Sequence, residues 1–514
     1  MSRIPGFKKT GTGLLYPVIL TTCLIIIIYL VVYHQPYYPR TWLDEGFVLQ
    51  GAMNLVQYGQ YAMRSVEGFR VFDQPLIANG PGVVLPITGV FKLFGIGLLQ
   101  ARLTMVVFFV ITSYVYFNLA KHLYGILAAL VSLFLLLALP DEGFILYGRH
   151  ALGMVPSLLY FLIGYFFWLN INARNQLAYA LGAGFFFGLA MVTKGQYLLV
   201  IPMLFIVLIA DWIYYKLALI KRVVFTLLAI AIILAIWYGI QLIILGPEGF
   251  IQSYEAIRSS SIVTISAFPI ARIPGNLWYL MRSGILLVVL PGWLYVGWLC
   301  LERDEKSIQQ LLLLIFVPVW LAWFAFISAG FHRYALDPYF IGALFTGKLA
   351  VDVFYRLRSK TVPVTFKFPG KRQWLWLLVP IVCLVIVVGL WGFAGQVQRI
   401  AAQPDITPQI FAAYLLENIN SQAVIESWEW EIDVLAPGLT YHHPTNKWVD
   451  RMHLPLQFGI PVEEIYDPTP FKPAYLIDGL FSKRTGLYAH YLATGCCSLV
   501  KRVGPYELYK VNQQ

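Results

Sequence analysis

The sequence predicts a polytopic α-helical membrane protein of about eleven transmembrane helices. Two helices are expected to lie in the interface of its first outer loop, and a small α/β soluble domain at its C-terminal end. Three observations carry this reading. The 514 residues are 59% hydrophobic and only 12% charged, with mean hydropathy +0.70, whereas a soluble domain carries about 25% charge. Apolar runs of the roughly 20 residues needed to cross a bilayer recur along most of the chain. From about Gly395 onward those runs stop and acidic residues become frequent, as in ESWEWEIDV.

In chain order, the predicted spans lie near 14–33, 101–120, 125–140, 151–170, 177–193, 197–215, 223–245, 284–301, 311–329, 334–352 and 374–394. No small-residue cleavage site follows the first, so it is expected to remain as a helix. Residues 76–99, LIANGPGVVLPITGVFKLFGIGLL, carry Pro81, Pro86, five glycines and Lys92. That composition suits a broken or interfacial element rather than a free-standing span. Sidedness arbitrates, because cytoplasmic loops collect Lys and Arg. If 76–99 does not cross and the N-terminus with Arg3, Lys8 and Lys9 is cytoplasmic, then Lys121, Arg174, Lys216–Arg222 and the basic stretch within 352–372 are cytoplasmic too. If it crosses, all of these flip outward. The first arrangement gives eleven spans, an outer loop over about 34–100, and an outward C-terminal tail.

Within that loop Phe47, Met53, Leu55 and Tyr58 recur at helical spacing over 47–61, and 76–99 supplies a second apolar element; both read as interfacial helices. The domains are therefore 1–394, membrane, and 395–514, extracytoplasmic. In the second, 408–420 reads as a helix, and AVIESWEWEI, PAYLIDG and CSLVKRVGPYELYKV alternate like strands. The net charge of +11 comes with no compact basic stripe, so nucleic acid is not an expected partner. Five cysteines form no metal-ligand spacing; Cys23, Cys300 and Cys383 fall in apolar runs, and the adjacent Cys496 and Cys497 have no assigned role.

Asp44 and Glu45 stand at the head of the outer loop, in WLDEGF. An acid pair there caps a helix, pairs with a neighbour such as Arg40, or does chemistry. A set of stretches in order adds to the third reading: WLDEGF at 42–47, GPGVVLPITGVFKLFGIGLLQARL at 80–103, LAKHLYG at 119–125, YGRHALGMVPSLLYFLIGYFFW at 147–168, MVTKGQYLLVIP at 191–202 and FHRYALDPYF at 331–340. With these, the chain resembles the GT-C superfamily of membrane glycosyltransferases, in the family 39 branch of protein O-mannosyltransferases and aminoarabinose transferases.

The resemblance implies an inverting, polyprenyl-phosphate-sugar-dependent glycosyltransferase, moving a hexosyl or pentosyl group to a hydroxyl of a lipid, glycan or protein acceptor on the outer face. The candidate catalytic pair is Asp44 and Glu45. Asp44 matches the family's base, which takes the acceptor proton as oxygen attacks C1, help worth on the order of 10²–10⁴ in rate. Helical neighbours point about 100° apart, so the two acids cannot serve one proton equally; Glu45 is expected to orient loop groups, contact the acceptor, or act structurally. The lipid-phosphate leaving group needs cations: Arg102, Arg149, Lys194, His332 and Arg333 are the candidates, each of which also suits a snorkelling anchor. Arg258, Arg272 and Arg282 are weaker ones.

Two departures from the family pattern stand out. Met154 occupies the place of an acid, which Asp141 or Glu142 could replace, and Gln74 stands before Pro75 where a basic residue is usual. No cofactor is expected beyond the lipid-linked donor and membrane lipids. His442, His443, His453 and Asp450 read as outer-loop or acceptor-contacting residues rather than metal ligands. The rival readings are a transporter or lipid flippase, which would bury charges mid-span, and a non-catalytic assembly scaffold. The expected location is the plasma (inner) membrane, with the active site facing outward.

Overall fold

The computed structural model describes residues 12–139, 143–170, 175–264, 270–302, 305–358, 373–458 and 464–512. Helices stand on all eleven predicted spans. Among the described residues seven are long and apolar enough to cross a membrane: Leu98–Tyr124, Gln176–Thr193, Gly195–Tyr215, Ile220–Ser260, Ile285–Glu302, Ser307–Phe326 and Leu378–Ala401. Ile126–Leu137 and Met154–Leu169 are shorter. At 1.5 Å per residue such helices fall short of the roughly 30 Å hydrocarbon core, and long neighbours flank them. Leu336–Arg358 is interrupted by Asp337, Lys348 and Asp352 yet is buried over most of its length. The helix that begins at Ile220 bends at Gly246, whose φ of 70° only glycine adopts readily. Its far segment reaches the helix Asn446–Phe458, where the Ser260 hydroxyl donates to Asp450 at 2.7 Å.

The outer-loop elements fold against the bundle. Pro81–Phe94 is helical, interrupted by Pro86. It buries Val83, Val84, Ile87 and Phe91 while Leu85, Leu93 and Phe94 are exposed, the two-sided apolar character an interfacial element requires. Leu43–Tyr58 is also helical and ends at Gly59 in the left-handed region. It is more enclosed than an interfacial helix needs to be, for Glu45 through Asn54 are all buried. The cover comes from the C-terminal half: Phe47 meets Trp430 at 5.5 Å between ring centroids. A Cβ added to Gly46 would lie 2.6 Å from the backbone of Trp430 and Glu431. Between the two loop helices the chain forms a hairpin absent from the sequence reading, β1 (Ala62–Ser65) with β2 (Gly68–Val71). Its strands are four residues each and mix charge with apolar groups, so the alternation signal is short.

The C-terminal unit follows the long helix Gln373–Ala401, which runs past the composition change at Gly395. A five-stranded sheet is built from β3 (Val424–Ser427), β4 (Thr440–His442), β5 (Tyr475–Asp478), β6 (Cys497–Val503) and β7 (Tyr506–Val511), in the order β4-β3-β5-β7-β6. β4, β3 and β5 run parallel, while β7 is antiparallel to both β5 and β6. Strand alternation sends Ile425, Ile477 and Leu508 to one face, where Phe411 and Leu415 of the helix Thr407–Asn418 cover them. Leu476 and Trp428 join the core that continues into the membrane bundle. One strand expectation is corrected: AVIESWEWEI is not a single strand. The Ser427 hydroxyl accepts from the Glu429 amide at 3.0 Å, a local turn that competes with the ladder, and Trp430–Leu435 is a helical turn.

Candidate active site

Asp44 and Glu45 occupy the first turn of Leu43–Tyr58, where the positive end of the helix dipole favours acids. Their side chains diverge and meet different partners. Glu45 is fully buried, and the Arg102 guanidinium grips it with two bonds, Nε to Oε1 at 2.9 Å and Nη2 to Oε2 at 2.6 Å. The Ala151 amide also donates to Oε1 at 3.0 Å. Burial would raise this carboxyl, but Arg102, His150 and these hydrogen bonds together hold it below the ordinary value. The remaining Arg102 nitrogen, Nη1, donates to the carbonyls of Pro36 at 2.5 Å and Pro39 at 2.7 Å. Four of the five Arg102 N–H groups are thus engaged within the protein, and both side chains of the pair are fully buried. The pair ties the loop to the span Leu98–Tyr124.

Arg149 is likewise engaged by backbone carbonyls. It is buried and donates to the carbonyls of Leu30 at 2.5 Å, Tyr33, and Tyr38 at 3.0 and 2.8 Å. These close the exit of the first span, whose last carbonyls lack helical partners. Burial, reinforced by Arg102, lowers its pKa to about 10. Next to it His150 has its pKa lowered to about 4, by burial first, against the pull of Glu45.

Asp44 points the other way and remains partly open. Arg333 Nη1 donates to its Oδ2 at 2.5 Å, with the two side chains 15% and 21% exposed. The Arg333 guanidinium lies 5.4, 5.1 and 5.6 Å from the ring centroids of Trp42, Phe331 and Tyr334, and its buried Nε has no hydrogen-bond partner. Burial disfavours the guanidinium charge, but Asp44 outweighs that and raises its pKa.

Lys194, in the turn between two spans, completes the cluster. It is buried, and its Nζ donates to Asn79 Oδ1 at 3.1 Å. Asn79 also accepts from the Gly153 amide at 3.3 Å, while the Gly80 amide donates to the Thr193 carbonyl at 3.0 Å. Burial, then the nearby Arg333, pull the ammonium down to about 7, opposed by Asp44 and Asp337. Asp337 in turn accepts from the Tyr197 hydroxyl at 2.5 Å. Asp44, Arg333, Lys194 and Asp337 thus act on one another electrostatically at one end of the bundle, beneath the C-terminal unit.

Of the other candidates, His332 is exposed, its ring stacked on Tyr279 at 3.8 Å. Arg272 donates to the Ala329 carbonyl at 2.9 Å, and Arg258 and Arg282 are exposed. Met154 is buried at the start of its helix, and Asp141 and Glu142 lie outside the described residues. His442 and His443 are buried rather than on an outer surface: His442 Nδ1 meets Glu426 at 2.5 Å, and His443 bridges the Ser427 carbonyl at 2.7 Å and Asp433 at 3.2 Å. Among the described residues no group of three or more His, Cys, Asp or Glu side chains is placed to hold a metal ion. Asp337, Asn79 and Tyr197 were not singled out from the sequence. An acid inside an apolar run, as in YALDPYF, is the signal that could have found Asp337.

The profile of the family described as dolichyl-phosphate-mannose-protein mannosyltransferase matches residues 73–238, about a third of the chain. The crystal structure of ArnT from Cupriavidus metallidurans in the apo state superposes with a TM-score of 0.64 at 12% identity, covering 97% of this chain and 98% of that one. This chain has the fold of the GT-C membrane glycosyltransferases. The same ArnT bound to undecaprenyl phosphate is similar at TM-score 0.63 and 13% identity, over 97% and 98% of the two chains. The archaeal oligosaccharyltransferase AglB from Archaeoglobus fulgidus, in complex with an inhibitory peptide and a dolichol-phosphate, is similar at TM-score 0.54 and 12% identity, over 98% of this chain and 75% of that one. No curated protein sequence matches the chain. In this GT-C fold the shared architecture includes the C-terminal unit, since the ArnT likeness runs over nearly the whole length.

Proposed function

We propose that this protein is an inverting glycosyltransferase, moving a hexosyl or pentosyl group from a polyprenyl-phosphate donor to an acceptor hydroxyl at the outer face of the inner membrane. The observation that carries the proposal is the division of labour between two adjacent acids. Glu45 is saturated by Arg102, whereas Asp44 is the partly open carboxylate, in contact with Arg333 and within electrostatic reach of Lys194. A lipid-phosphate headgroup entering the cluster competes with Asp44 for Arg333 and returns the buried Lys194 to its charged form. Asp44 is then released to accept a proton.

The acceptor oxygen attacks C1 of the sugar as the C1–O bond to phosphate breaks. Its proton passes to Asp44 Oδ, and the bonding electron pair leaves on the phosphate oxygen, where Arg333 and Lys194 offset the new charge. A single displacement inverts C1. The fold of structures solved with undecaprenyl phosphate or dolichol-phosphate supports a lipid-linked donor. The deciding experiment is transfer from a radiolabelled polyprenyl-phosphate sugar by the purified protein, with Asp44→Asn beside it. Loss of transfer with unchanged donor binding supports the reading, and full activity of Asp44→Asn refutes it. The charges gather at one end of the bundle around a carboxylate, which favours transfer chemistry over transport or scaffolding.

A further inference from the structure

Cys496 and Cys497 lie outside the catalytic cluster, and their arrangement is not that of two consecutive strand residues. In a strand, neighbours point to opposite faces. Here the two sulfurs meet at 2.8 Å. The reason lies in the backbone. Gly495, with φ of 72°, ends the turn after the helix Ala489–Ala493, and β6 begins only at Cys497. Cys496 is therefore held outside the ladder alternation, its carbonyl accepting from the Asn512 amide at 2.8 Å and its thiol donating to the Tyr491 carbonyl at 3.1 Å. Cys497 is fixed by its pairing opposite Val511. Both residues are half-buried at the start of the outermost strand of the sheet, within reach of a small oxidant.

We propose that Cys496 and Cys497 form a vicinal disulfide, a redox modification site on the C-terminal unit. The oxidant is a small-molecule or protein disulfide. The thiolate of one cysteine attacks it, giving a mixed disulfide and one released thiol. The other cysteine then loses its proton and attacks the first one's sulfur, expelling the second thiol. Two S–H bonds and one S–S bond become one S–S bond and two S–H bonds. Burial, then Cys496 beside it, push the Cys497 thiol up to about 12, so closure quickens as pH rises, since the thiolate is the nucleophile. Adjacent Cα atoms stand about 3.8 Å apart, closer than most bridged cysteines, so the bond opens under mild thiol reductant. Closure in the cell rests on the outward placement proposed above, because disulfides persist in oxidising compartments.

The test uses the full-length protein in detergent, treated with oxidised glutathione, alkylated without reduction and digested with trypsin. Cleavage after Arg484 and Lys501 isolates both cysteines in one peptide. Closure gives that peptide a mass lower by two hydrogens and no alkyl groups, reversed by dithiothreitol. In Cys497→Ser and in Cys496→Ser the glutathione adduct stays on the remaining cysteine, because no neighbouring thiol is left to expel it. Two alkylated cysteines after oxidation overturn the proposal. The same peptide from protein alkylated in intact cells separates the two inferences: a pair that closes with glutathione but is reduced in cells supports the site and overturns the outward placement.

Discussion

Replacing Asp44 and Glu45 in turn by their amides separates a reacting acid from a structural one at adjacent positions. Glu45→Gln leaves the shape of the side chain but removes the charge that Arg102 and the Ala151 amide address. Both side chains of that pair are entirely buried, so the Arg102 guanidinium would sit uncompensated among carbonyls. Breaking one side of a buried ion pair costs about 3–5 kcal/mol. The Asp44–Arg333 pair, with side chains 21% and 15% exposed, is more open to water, so breaking it costs less than this. Asp44→Asn is therefore expected to lower the thermal midpoint in detergent by less than Glu45→Gln does, while initial transfer rates fall on the order of 10²–10⁴. Glu45→Gln is expected to lower the midpoint by several degrees and cut the yield of monodisperse protein. Its surviving fraction should still transfer sugar at a rate far above Asp44→Asn. The reasoning fails if Asp44→Asn melts early with the rate unchanged, or if folded Glu45→Gln is as inactive as Asp44→Asn.

Acid should act through the same pair: the folded Glu45 carboxyl is held below its unfolded value of 4.5, so its stabilisation is complete above that value and lost as pH falls through the folded one. Glu45→Gln should flatten this acid limb of the melting-point profile. Lys194, lowered to about 7 in the free protein, predicts that the KM for donor rises as pH increases through 7. Lys194→Arg, charged throughout, should remove most of that dependence, and an unaltered slope would exclude Lys194 from donor binding. Gly46→Ala would place a methyl 2.6 Å from the backbone of Trp430 and Glu431, so limited proteolysis should cut the C-terminal unit faster, with transfer reduced.

Much of the architecture was readable because a bilayer imposes a length and a composition that a sequence displays directly. The helices at the eleven expected spans, the helix within 76–99 and the helix from Leu43 all follow from local rules, and so does the acid pair's place at its start. The C-terminal strands were legible by alternation except where Ser427 turned the chain, a side-chain-to-backbone bond that no periodicity reports. The hairpin at 62–71 was hidden by the brevity of its strands.

Roles within the site were a different matter. Residues 44 and 45 are the same chemistry one position apart, and so are the arginines at 102, 149 and 333. Which acid stays open and which cations are saturated depends on partners 57 to 289 positions away. Burial and electrostatic pairing are properties of three-dimensional neighbourhoods, and their energies fall off over a few ångströms regardless of separation along the chain. Local order could therefore nominate Asp44, Lys194 and Arg333. Only packing could join them to Asp337 and tie Glu45, Arg102 and Arg149 into buried hydrogen bonds.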